Sequence, residues 1–433
     1  MRIAIIGGGW AGLAAAVRAV DRGHSVTLLE MSPTLGGRAR TVEQHGQSYD
    51  NGQHILIGAY VQTLALMRRV GADPDRLLLR LPLGLKKPDG TGLALKARSS
   101  AATFAWAIVR HNLWHWRSRL ALLQASLGWT ARRFECPEDQ TVASLTASLP
   151  LEVQRDLIDP LCVAALNTPA QTASAQVFLR VLKDSLMTGQ GGADLLLPAK
   201  PLADLLPGPS LHWLRQRGAD IRLRRRAHTL EPQEQAWRVD TETFDQVILA
   251  CPAQEASRLT QNVNPAWSVR AGQLRHAAIT TVYLRCPGAR LGHPMVFLPE
   301  GPAQFAFDHG AMGLQASQFA FVISASESLQ HLSRAELCQT VLDQALRQFP
   351  TDTWPTTPEV SGVFTERRAT FCCETALQRP EACVAPGMWA AGDYIQGPYP
   401  STLEGAVRSG QQAADLAHAA FAMQNSTARR DSP

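Results

Sequence analysis

A glycine-rich turn at the N-terminus constrains the fold of this chain more than any other feature. A short apolar run at residues 3–6 leads directly into Gly7-Gly8-Gly9-Trp10-Ala11-Gly12. The first glycine permits a sharp bend from strand to helix, Gly9 lets the backbone approach a pyrophosphate, and Gly12 lets the helix pack closely on the strand. The free N–H groups at the start of the helix favour bound phosphate. The sequence therefore predicts a dinucleotide site that is contacted by Gly7, Gly9, Trp10, Ala11 and Gly12.

Two features downstream of this turn define the dinucleotide further. The run Val26-Thr27-Leu28-Leu29 predicts a second strand that ends at Glu30, 18 residues after Gly12. A carboxylate at this place accepts hydrogen bonds from both ribose hydroxyls and disfavours a 2′-phosphate. A second glycine turn, Gly36-Gly37-Arg38, adds a guanidinium, which is a fixed cation suited to a diphosphate. The predicted cofactor residues therefore include Glu30, Gly36, Gly37 and Arg38.

Composition limits the remaining possibilities. The chain has 433 residues, of which 45% are hydrophobic and 18% charged, so it can bury a large core and is expected to form two domains. Its formal net charge of +5 is too small to indicate nucleic-acid binding. The eight cysteines have neither C-x-x-C pairs nor metal-ligand spacing, which predicts free thiols in a reducing compartment and no metal site. We find no secretory leader or transmembrane pattern and expect a cytoplasmic location.

One segment departs sharply from the average composition. Residues 90–134 contain no Asp or Glu but carry seven cations and four of the ten tryptophans. The cations are Lys96, Arg98, Arg110, Arg117, Arg119, Arg132 and Arg133. On a single helix an apolar stripe would run through Trp106, Val109, Leu113, Trp116, Leu120, Leu123 and Leu127. This arrangement favours an interfacial helix on anionic lipid, and the alternative is an amphipathic helix packed on the protein core.

The second half of the chain predicts a substrate domain. Strands are expected at residues 281–284, 295–298, 305–307 and 319–323, followed by a helix with a capping box at Ser333 and Glu336. A sheet built from these strands would cover the cofactor. Apolar helices predicted between residues 159 and 182 would either wall an apolar cavity or form ordinary core, because helical spacing does not distinguish the two.

The two glycine turns resemble those of the two-dinucleotide-binding flavoprotein superfamily, which includes amine oxidases, carotenoid desaturases and protoporphyrinogen oxidases. Four segments narrow the resemblance: Asp50-Asn51-Gly52-Gln53-His54, residues 164–169, residues 366–371 and residues 404–410. They are similar to the squalene-associated FAD-dependent desaturases, the family of the hydroxysqualene dehydroxylases, and the resemblance extends over residues 1–420. The loop at residues 394–400 departs from that family, which more often has a Trp or a Thr-rich turn there.

The resemblance implies an α/β fold, with a Rossmann-like FAD-binding domain and a mixed-sheet substrate domain that carries a helical insert. It also adds cofactor contacts. The loop near residues 227–230 would lie on the adenine, and Asp393 would bond the ribityl or phosphate region. A helix that opens at residue 401 would direct its N-terminus to the pyrimidine edge of the flavin. The added cofactor residues are Gly52, Gln53, Thr229, Leu230, Cys251, Gly392, Asp393, Thr402, Leu403, Glu404 and Ala406.

The domain organisation expected on this basis is discontinuous. The FAD-binding domain would comprise residues 1–80, 195–265 and 384–420. A helical, membrane-facing subdomain would occupy residues 81–194, the substrate-domain sheet and helix residues 266–383, and a flexible tail residues 421–433. Within the FAD-binding domain, residues 237–239 and 244–250 predict a hairpin that returns to the parallel sheet.

The implied reaction is removal of the hydroxyl of a C30 isoprenoid alcohol, with hydride supplied by reduced flavin to give squalene. Asp50 and His54 are the candidate catalytic residues for protonating the leaving hydroxyl, or else they brace their loop or contact FAD. The electron donor would be NAD(P)H or a reductase, and we expect peripheral contact with the inner face of the membrane. Two other functions remain open: an oxidase similar to carotenoid desaturases or amine oxidases, and isoprenoid binding without catalysis.

Overall fold

Sheets and helices alternate along most of the chain. A computed structural model describes residues 1–44, 46–95, 101–111 and 113–430, with the side chains of residue 101 and residues 424–430 excepted. Lys96 and Arg98 of the basic segment lie outside the described residues.

The strands lie in both halves of the chain. They are β1 (Arg2–Ile6), β2 (Ser25–Glu30), β3 (Thr41–Gln44), β4 (Gln47–Asp50), β5 (Leu56–Ile57), β6 (Leu78–Leu81), β7 (Gly84–Lys86), β8 (Gly92–Ala94), β9 (Leu195–Pro198), β10 (Asp220–Leu223), β11 (Leu230–Pro232), β12 (Trp237–Val239), β13 (Glu242–Phe244), β14 (Gln246–Leu249), β15 (His276–Arg285), β16 (Met295–Phe297), β17 (Phe305–Asp308), β18 (Gln318–Ser324), β19 (Glu359–Phe371), β20 (Cys383–Ala385) and β21 (Met388–Ala390).

The helices are concentrated between residues 100 and 190 and at the C-terminus. They are α1 (Trp10–Asp21), α2 (Val61–Arg69), α3 (Pro74–Leu77), α4 (Ala101–Arg110), α5 (Trp116–Ala131), α6 (Val142–Leu145), α7 (Leu151–Val153), α8 (Asp159–Leu166), α9 (Ala175–Met187), α10 (Leu202–Leu205), α11 (Pro207–Arg215), α12 (Ala253–Thr260), α13 (Pro265–Gly272), α14 (His309–Met312), α15 (Arg334–Gln348) and α16 (Leu403–Arg430). A π-helical turn covers Gln154–Ile158, and short 3₁₀ turns cover Ser326–Leu329 and Thr351–Thr353.

A six-stranded sheet carries the N-terminal glycine turn. Its order is β10-β2-β1-β14-β21-β20, and its strands run parallel except for β20. Helix α1 packs closely on β1, because a Cβ at Gly12 would lie 1.9 Å from the carbonyl oxygen of Gly7. Helix α16 approaches α1 in the same way, since a Cβ at Gly410 would lie 2.1 Å from the carbonyl oxygen of Ala11. The predicted parallel α/β core is confirmed.

The predicted hairpin of residues 237–239 and 244–250 is correct only in part: residues 246–249 return to the parallel sheet, but residues 237–239 do not pair with them. Strand β12 pairs with β11 and β13 in a separate antiparallel sheet, whereas β14 pairs in parallel with β1. The chain turns at Asp240, whose φ of 51° is left-handed. Aspartate tolerates this conformation better than most residues do, so the turn comes earlier than the apolar run indicated.

A second, five-stranded sheet forms the substrate domain. Its order is β16-β17-β18-β15-β19, and its strands are antiparallel. Because side chains alternate along β15, Val282 and Leu284 pack in one buried cluster with α15, while Tyr283 belongs to the cluster on the opposite face. The predicted strands are confirmed, and the capping box forms, since Ser333 Oγ accepts the Glu336 N–H at 3.2 Å.

The basic, tryptophan-rich segment forms two helices, so the prediction of one helix is wrong. The break lies between α4 and α5, where His115 caps α5 by accepting the Arg117 N–H through Nδ1 at 3.4 Å. The predicted stripe is nevertheless largely on the surface. Its exposed members are Trp106, Val109, Leu113, Trp116, Leu120 and Leu127.

The bounds of the strands and of helix α16 can be compared with the expected domain boundaries. The strands of the six-stranded sheet fall within residues 2–30, 220–249 and 383–390. Helix α16 continues to Arg430, so residues 421–430 are helical where the sequence predicted a flexible tail. No helix within the described ranges combines the length and the apolar run needed to cross a bilayer.

Candidate functional site

The two predicted glycine turns lie against each other. Gly36 N–H donates to the carbonyl of Gly8 at 2.9 Å, and a Cβ on Gly37 would lie 3.1 Å from Cα of Gly9. Gly7 has a φ of 112°, and a Cβ there would meet the carbonyl oxygen of Ala250 at 2.4 Å. The approach to the start of α1 is therefore lined by backbone.

The first turn of α1 has the free donors that a phosphate needs. Its N-cap is Gly9, which provides no side-chain hydrogen bond, and the first turn has no acidic side chain. Trp10 and Ala11 are buried there, and the Trp10 indole donates to the carbonyl of Ala39 at 3.1 Å. The helix dipole and unpaired N–H groups therefore favour an anion at this end.

Glu30 lies beside the first glycine turn at the end of β2. Its buried carboxylate accepts the N–H of Gly8 at 2.6 Å and that of Ser32 at 2.7 Å. These bonds fix the carboxylate and leave lone pairs for further donors. Ribose hydroxyls are donors of the required kind, so the geometry fits the predicted role of Glu30.

The adenine end of the predicted site lies along the neighbouring strands. Leu223 pairs with Glu30 across β10 and β2, and the Arg225 N–H donates to the carbonyl of Glu30 at 2.8 Å. The chain then continues to Thr229, which is exposed, and Leu230, which is buried. Cys251 is buried next to the Gly7 turn, and burial raises the pKa of its thiol to about 12, which keeps the thiol neutral.

Arg38 and Asp393 meet although 355 residues separate them. Their side chains form an ion pair, and Arg38 Nη1 also donates to the carbonyls of Arg368 and Ala369 at 3.2 and 2.9 Å. Burial raises the pKa of Asp393, but the charge of Arg38 and the hydroxyl of Ser401 outweigh burial and hold the pKa below its ordinary value. This pair joins the second glycine turn to Gly392-Asp393 and to β19.

Two side chains at the start of α16 cap two different helices. Thr402 Oγ1 caps the helix by accepting the Gly405 N–H at 3.1 Å. The buried Glu404 carboxylate instead caps α2, accepting the N–H groups of Gln62 and Thr63 at 3.0 and 2.8 Å. Any cofactor contact from Glu404 would therefore use its backbone. Partly buried Leu403 and Ala406 remain predicted contacts in the same turn.

Asp50 and His54 turn their side chains to different partners. One oxygen of the Asp50 carboxyl accepts the Thr41 hydroxyl at 2.8 Å and the Leu202 N–H at 3.1 Å. Burial raises the pKa of this carboxyl to about 6, although both hydrogen bonds oppose the shift. Asp50 thus braces the hairpin of β3 and β4 against α10.

The His54 ring has a defined hydrogen-bonding role. Its Nδ1 lies 2.9 Å from the carbonyl oxygen of Gly52, which only accepts, so Nδ1 carries the proton. Burial lowers the pKa of His54, the Gly52 carbonyl opposes the shift and Arg38 adds to it, so the ring is neutral near pH 7. In that state Nε2 is a hydrogen-bond acceptor and has no proton to donate.

The substrate-domain sheet and the neighbouring helix α14 add polar groups that the sequence did not single out. His309 Nε2 lies 3.1 Å from Gln53 Oε1, and burial lowers the pKa of His309 to about 4. Tyr283 donates its hydroxyl to the carbonyl of Asp50 at 2.8 Å. Thr281 Oγ1 is buried without a partner among the described residues, 3.9 Å from where a Cβ on Gly52 would lie.

Tyr394 is a further residue at this site that the sequence did not single out. Its buried hydroxyl has no hydrogen-bond partner in the part of the chain that the structure describes. Burial, with the nearby Cys251 and Asp393, raises its pKa well above the ordinary value. A neutral, unpartnered donor between two predicted cofactor residues fits a polar ligand there. The departure of residues 394–400 from the family pattern was the available sequence signal.

Two of the four segments that narrowed the family resemblance, residues 164–169 and residues 366–371, contact each other. Asn167 Nδ2 donates to the Thr370 hydroxyl at 2.9 Å, and its Oδ1 accepts the Ala325 N–H at 2.7 Å. Thr168 Oγ1 accepts the Cys373 N–H at 3.0 Å. The end of α8 is thereby fixed to β19, whose carbonyls hold Arg38.

The backbone cradle, the free helix start, the Glu30 carboxylate and the orphaned Tyr394 hydroxyl together fit a flavin dinucleotide. A family model described as "Flavin containing amine oxidoreductase" matches residues 10–418. The chain belongs to this family. This flavoprotein is an FAD-dependent oxidoreductase with a Rossmann-like cofactor domain, as the sequence predicted.

Full-length relatives support the narrower resemblance. Hydroxysqualene dehydroxylase from Zymomonas mobilis subsp. mobilis is 29% identical over 435 residues, covering 95% of this chain and 98% of that protein. Hydroxysqualene dehydroxylase from Sinorhizobium fredii is 24% identical over 451 residues, covering 95% and 97%. Among solved structures, an oxidoreductase from Methanosarcina mazei has a TM-score of 0.72 at 16% identity, covering 96% of this chain and 100% of that one. That structure shares the fold.

Proposed function

We propose that this flavoprotein removes the hydroxyl group of hydroxysqualene reductively and produces squalene. The observation that carries the proposal is the match, over nearly the whole of both chains, to the Zymomonas mobilis hydroxysqualene dehydroxylase. The contacts of residues 167–168 with β19 and Cys373 support it, because Leu166-Asn167-Thr168-Pro169 is one of the segments narrower than the superfamily pattern, and β19 also holds Arg38.

The interior of the substrate domain suits a C30 hydrocarbon. Tyr283, Phe305 and Phe307 of the sheet belong to the same buried apolar cluster as Leu166 and Phe178 of the helical segment. Apolar side chains of this kind favour an isoprenoid chain over water, so the proposal places the substrate chain against this cluster. The polar groups of residues 52–54 then provide a local site for one hydroxyl.

The proposed reaction replaces a carbon–oxygen bond by a carbon–hydrogen bond. The carbon gains a hydride, and the hydroxyl takes up one proton and leaves as water; the hydride and the proton together equal the two hydrogens that reduced FAD gives up when it is oxidised. Reduced FAD, when bound, supplies that hydride. The chain contributes an apolar enclosure, which keeps water from the electron-deficient carbon, and residues that orient the hydroxyl.

We assign different parts to the two candidate catalytic residues. His54 Nε2 accepts a hydrogen bond from the substrate hydroxyl and directs the carbon–oxygen bond towards the cofactor face. Asp50 is a positioning residue, because its carboxyl oxygen is taken by Thr41 and Leu202. The neutral ring of His54 excludes it as the proton donor near pH 7.

The direction of electron flow tests the proposal. Purified holoenzyme would be reduced under anaerobic conditions and incubated with hydroxysqualene, and extracts would be analysed for squalene by mass spectrometry. Oxidised holoenzyme under air is the control and should form none. Squalene in the reduced sample supports the proposal. Products only in the aerobic sample would favour an oxidase instead.

We further propose that α4 and α5 dock on an anionic membrane surface. Trp106 and Trp116 are 53% and 55% exposed, and each lies under an arginine: Arg110 at 4.9 Å and Arg117 at 5.5 Å from the ring centres. Exposed tryptophans flanked by cations are typical of interfacial helices. Such docking would let an insoluble substrate enter from lipid.

A further inference from the structure

A cavity of about 660 Å³ lies against the loop that follows Asp393. It is bounded by that loop, by the first turns of α16, by α9 and by the end of α1. In the described chain, none of residues 7–12 lines it, so it is separate from the predicted dinucleotide turn. Its volume is in the range of sites for nucleotide-sized ligands.

The walls of this cavity are rich in arginine. Arg18, Arg180, Arg379 and Arg408 line it, against the carboxylates of Asp393 and Asp415. The Asp393 carboxylate is directed to Arg38 and Ser401, which leaves Asp415 as the acidic counterpart within the cavity. Arg18, Arg180 and Arg408 form ion pairs with Asp415, Asp184 and Glu404, so the excess positive charge of the cavity is that of Arg379, and a charge there does not suit a neutral isoprenoid.

Among the four arginines, Arg379 has hydrogen-bond donors that are still available for a ligand. Its Nη1 donates to the carbonyls of Asp393 and Tyr399 at 3.3 and 2.9 Å. No carboxylate lies within 4.0 Å of its guanidinium in the described residues, in contrast to the other three arginines. Burial lowers the pKa of Arg379, but a guanidinium ordinarily titrates so far above neutral pH that the group stays charged.

Two further arginines are held in fixed positions around Tyr399. Arg180 lies 5.0 Å from the centre of the Tyr399 ring and donates to its hydroxyl at 3.1 Å. Arg408 lies 5.2 Å from the same ring centre. Their ion pairs with Asp184 and Glu404 hold the guanidinium groups before any ligand arrives, which lowers the entropy lost on binding.

We propose that this cavity is a binding site for a small molecule that carries a diphosphate, such as a dinucleotide. Guanidinium groups bind phosphate oxygens in a two-pronged geometry, and several of them around one cavity match an anion with oxygens on two phosphorus atoms. The site is additional to that of FAD, with Asp393 at the boundary between the two, and it does not depend on which substrate the flavin reduces.

Calorimetric titration of the FAD-saturated full-length protein tests the site. The probes are inorganic diphosphate, ADP and a reduced pyridine dinucleotide, added without isoprenoid. We expect binding that weakens with salt, and at least tenfold weaker binding by Arg379→Gln. Arg76→Gln is the matched control, because Arg76 is 87% exposed on α3 and should leave binding unchanged.

The relative affinities of the probes identify the ligand, and other outcomes contradict the proposal. Tighter binding of the dinucleotide than of inorganic diphosphate assigns a dinucleotide, and equal binding assigns free diphosphate. If Arg379→Gln does not fold with FAD, Arg180→Gln is measured in its place. No binding of any probe, unchanged binding in the folded variant, or release of FAD by the probe would overturn the proposal.

Discussion

At the scale of single residues, Glu30 gives the clearest expectation. Its carboxylate is held by two backbone N–H groups and has lone pairs left for the ribose. Glu30→Ala should weaken FAD binding by at least about tenfold, because hydrogen bonds to a charged acceptor are lost. Flavin content after gel filtration measures this. The exposed Glu234→Ala is the control, and equal retention by both variants would contradict the assigned role.

Asp50 and His54 can be separated by a matched pair of substitutions. His54→Ala should lower kcat for hydroxysqualene by about 10²-fold, since the hydroxyl loses its orienting acceptor. Asp50→Asn should lower it by less than about threefold, because the amide oxygen can still accept from Thr41 and Leu202. Steady-state kinetics of both holoenzymes decide the assignment, and equal losses would refute it.

The same Asp50 variant has a pH-dependent signature in stability. The folded pKa of about 6 exceeds the ordinary 3.8, so this carboxyl favours folding below the unfolded pKa, and that contribution is lost as pH rises through about 6. The stability of the wild type relative to Asp50→Asn should therefore fall between about pH 4 and about pH 7. Urea unfolding at the two pH values measures the change.

Some residues of the site could be predicted from the sequence and others could not. The glycines and Glu30 were predictable because their roles follow from local backbone rules within one βαβ unit. Thr281, His309 and Tyr394 were not, because no local pattern distinguishes them from core residues. Long-range packing alone places Thr281 near Gly52 and brings His309 to Gln53.

At the scale of elements, the link between α8 and β19 should be important for stability. Asn167 has a left-handed φ of 47° and makes two side-chain hydrogen bonds to distant segments. Asn167→Ala should cost about 2–4 kcal/mol in the free energy of unfolding, from backbone strain and unpaired buried groups. Denaturant unfolding measures it. The exposed Thr172→Ala is the control, and a loss no larger than that of the control would contradict the role.

The pair α4 and α5 carries the prediction about membranes. Replacing Trp106 and Trp116 by alanine should reduce sedimentation with anionic liposomes by roughly tenfold, because each exposed aromatic ring loses apolar area buried in lipid. Val269→Ala, at an exposed apolar position on α13, is the control. Wild-type binding should weaken with salt. Sedimentation that is unchanged in the double variant would favour packing of these helices within the protein or with a partner.

The break between these helices shows why periodicity misled at this scale. The apolar stripe continues in phase across residues 111–115, which contain neither proline nor glycine. The break depends on His115, whose side chain caps α5 and whose N–H reaches Glu152 Oε1 at 3.3 Å. Histidine is a weak signal for a helix start, and a contact 37 residues away leaves no local pattern.

At the scale of the whole molecule, the cofactor site and the substrate domain depend on each other. Arg38 joins the glycine turn to β19 and Asp393, and Tyr283 joins β15 to the Asp50 backbone. The strands of both sheets were predictable from their apolar patterns, whereas the antiparallel order of the substrate-domain sheet, expected to be mixed, was not. The mutual placement of the two sheets was not predictable either, since it rests on side chains that are hundreds of residues apart.

The most direct test of the central claim is a single turnover. Holoenzyme is reduced without oxygen, freed of excess reductant and mixed with hydroxysqualene, while flavin absorbance and squalene are followed together. The account predicts that the flavin returns to its oxidised spectrum as an equimolar amount of squalene forms, with no change when squalene itself is added. Flavin that stays reduced in the presence of hydroxysqualene would contradict the account.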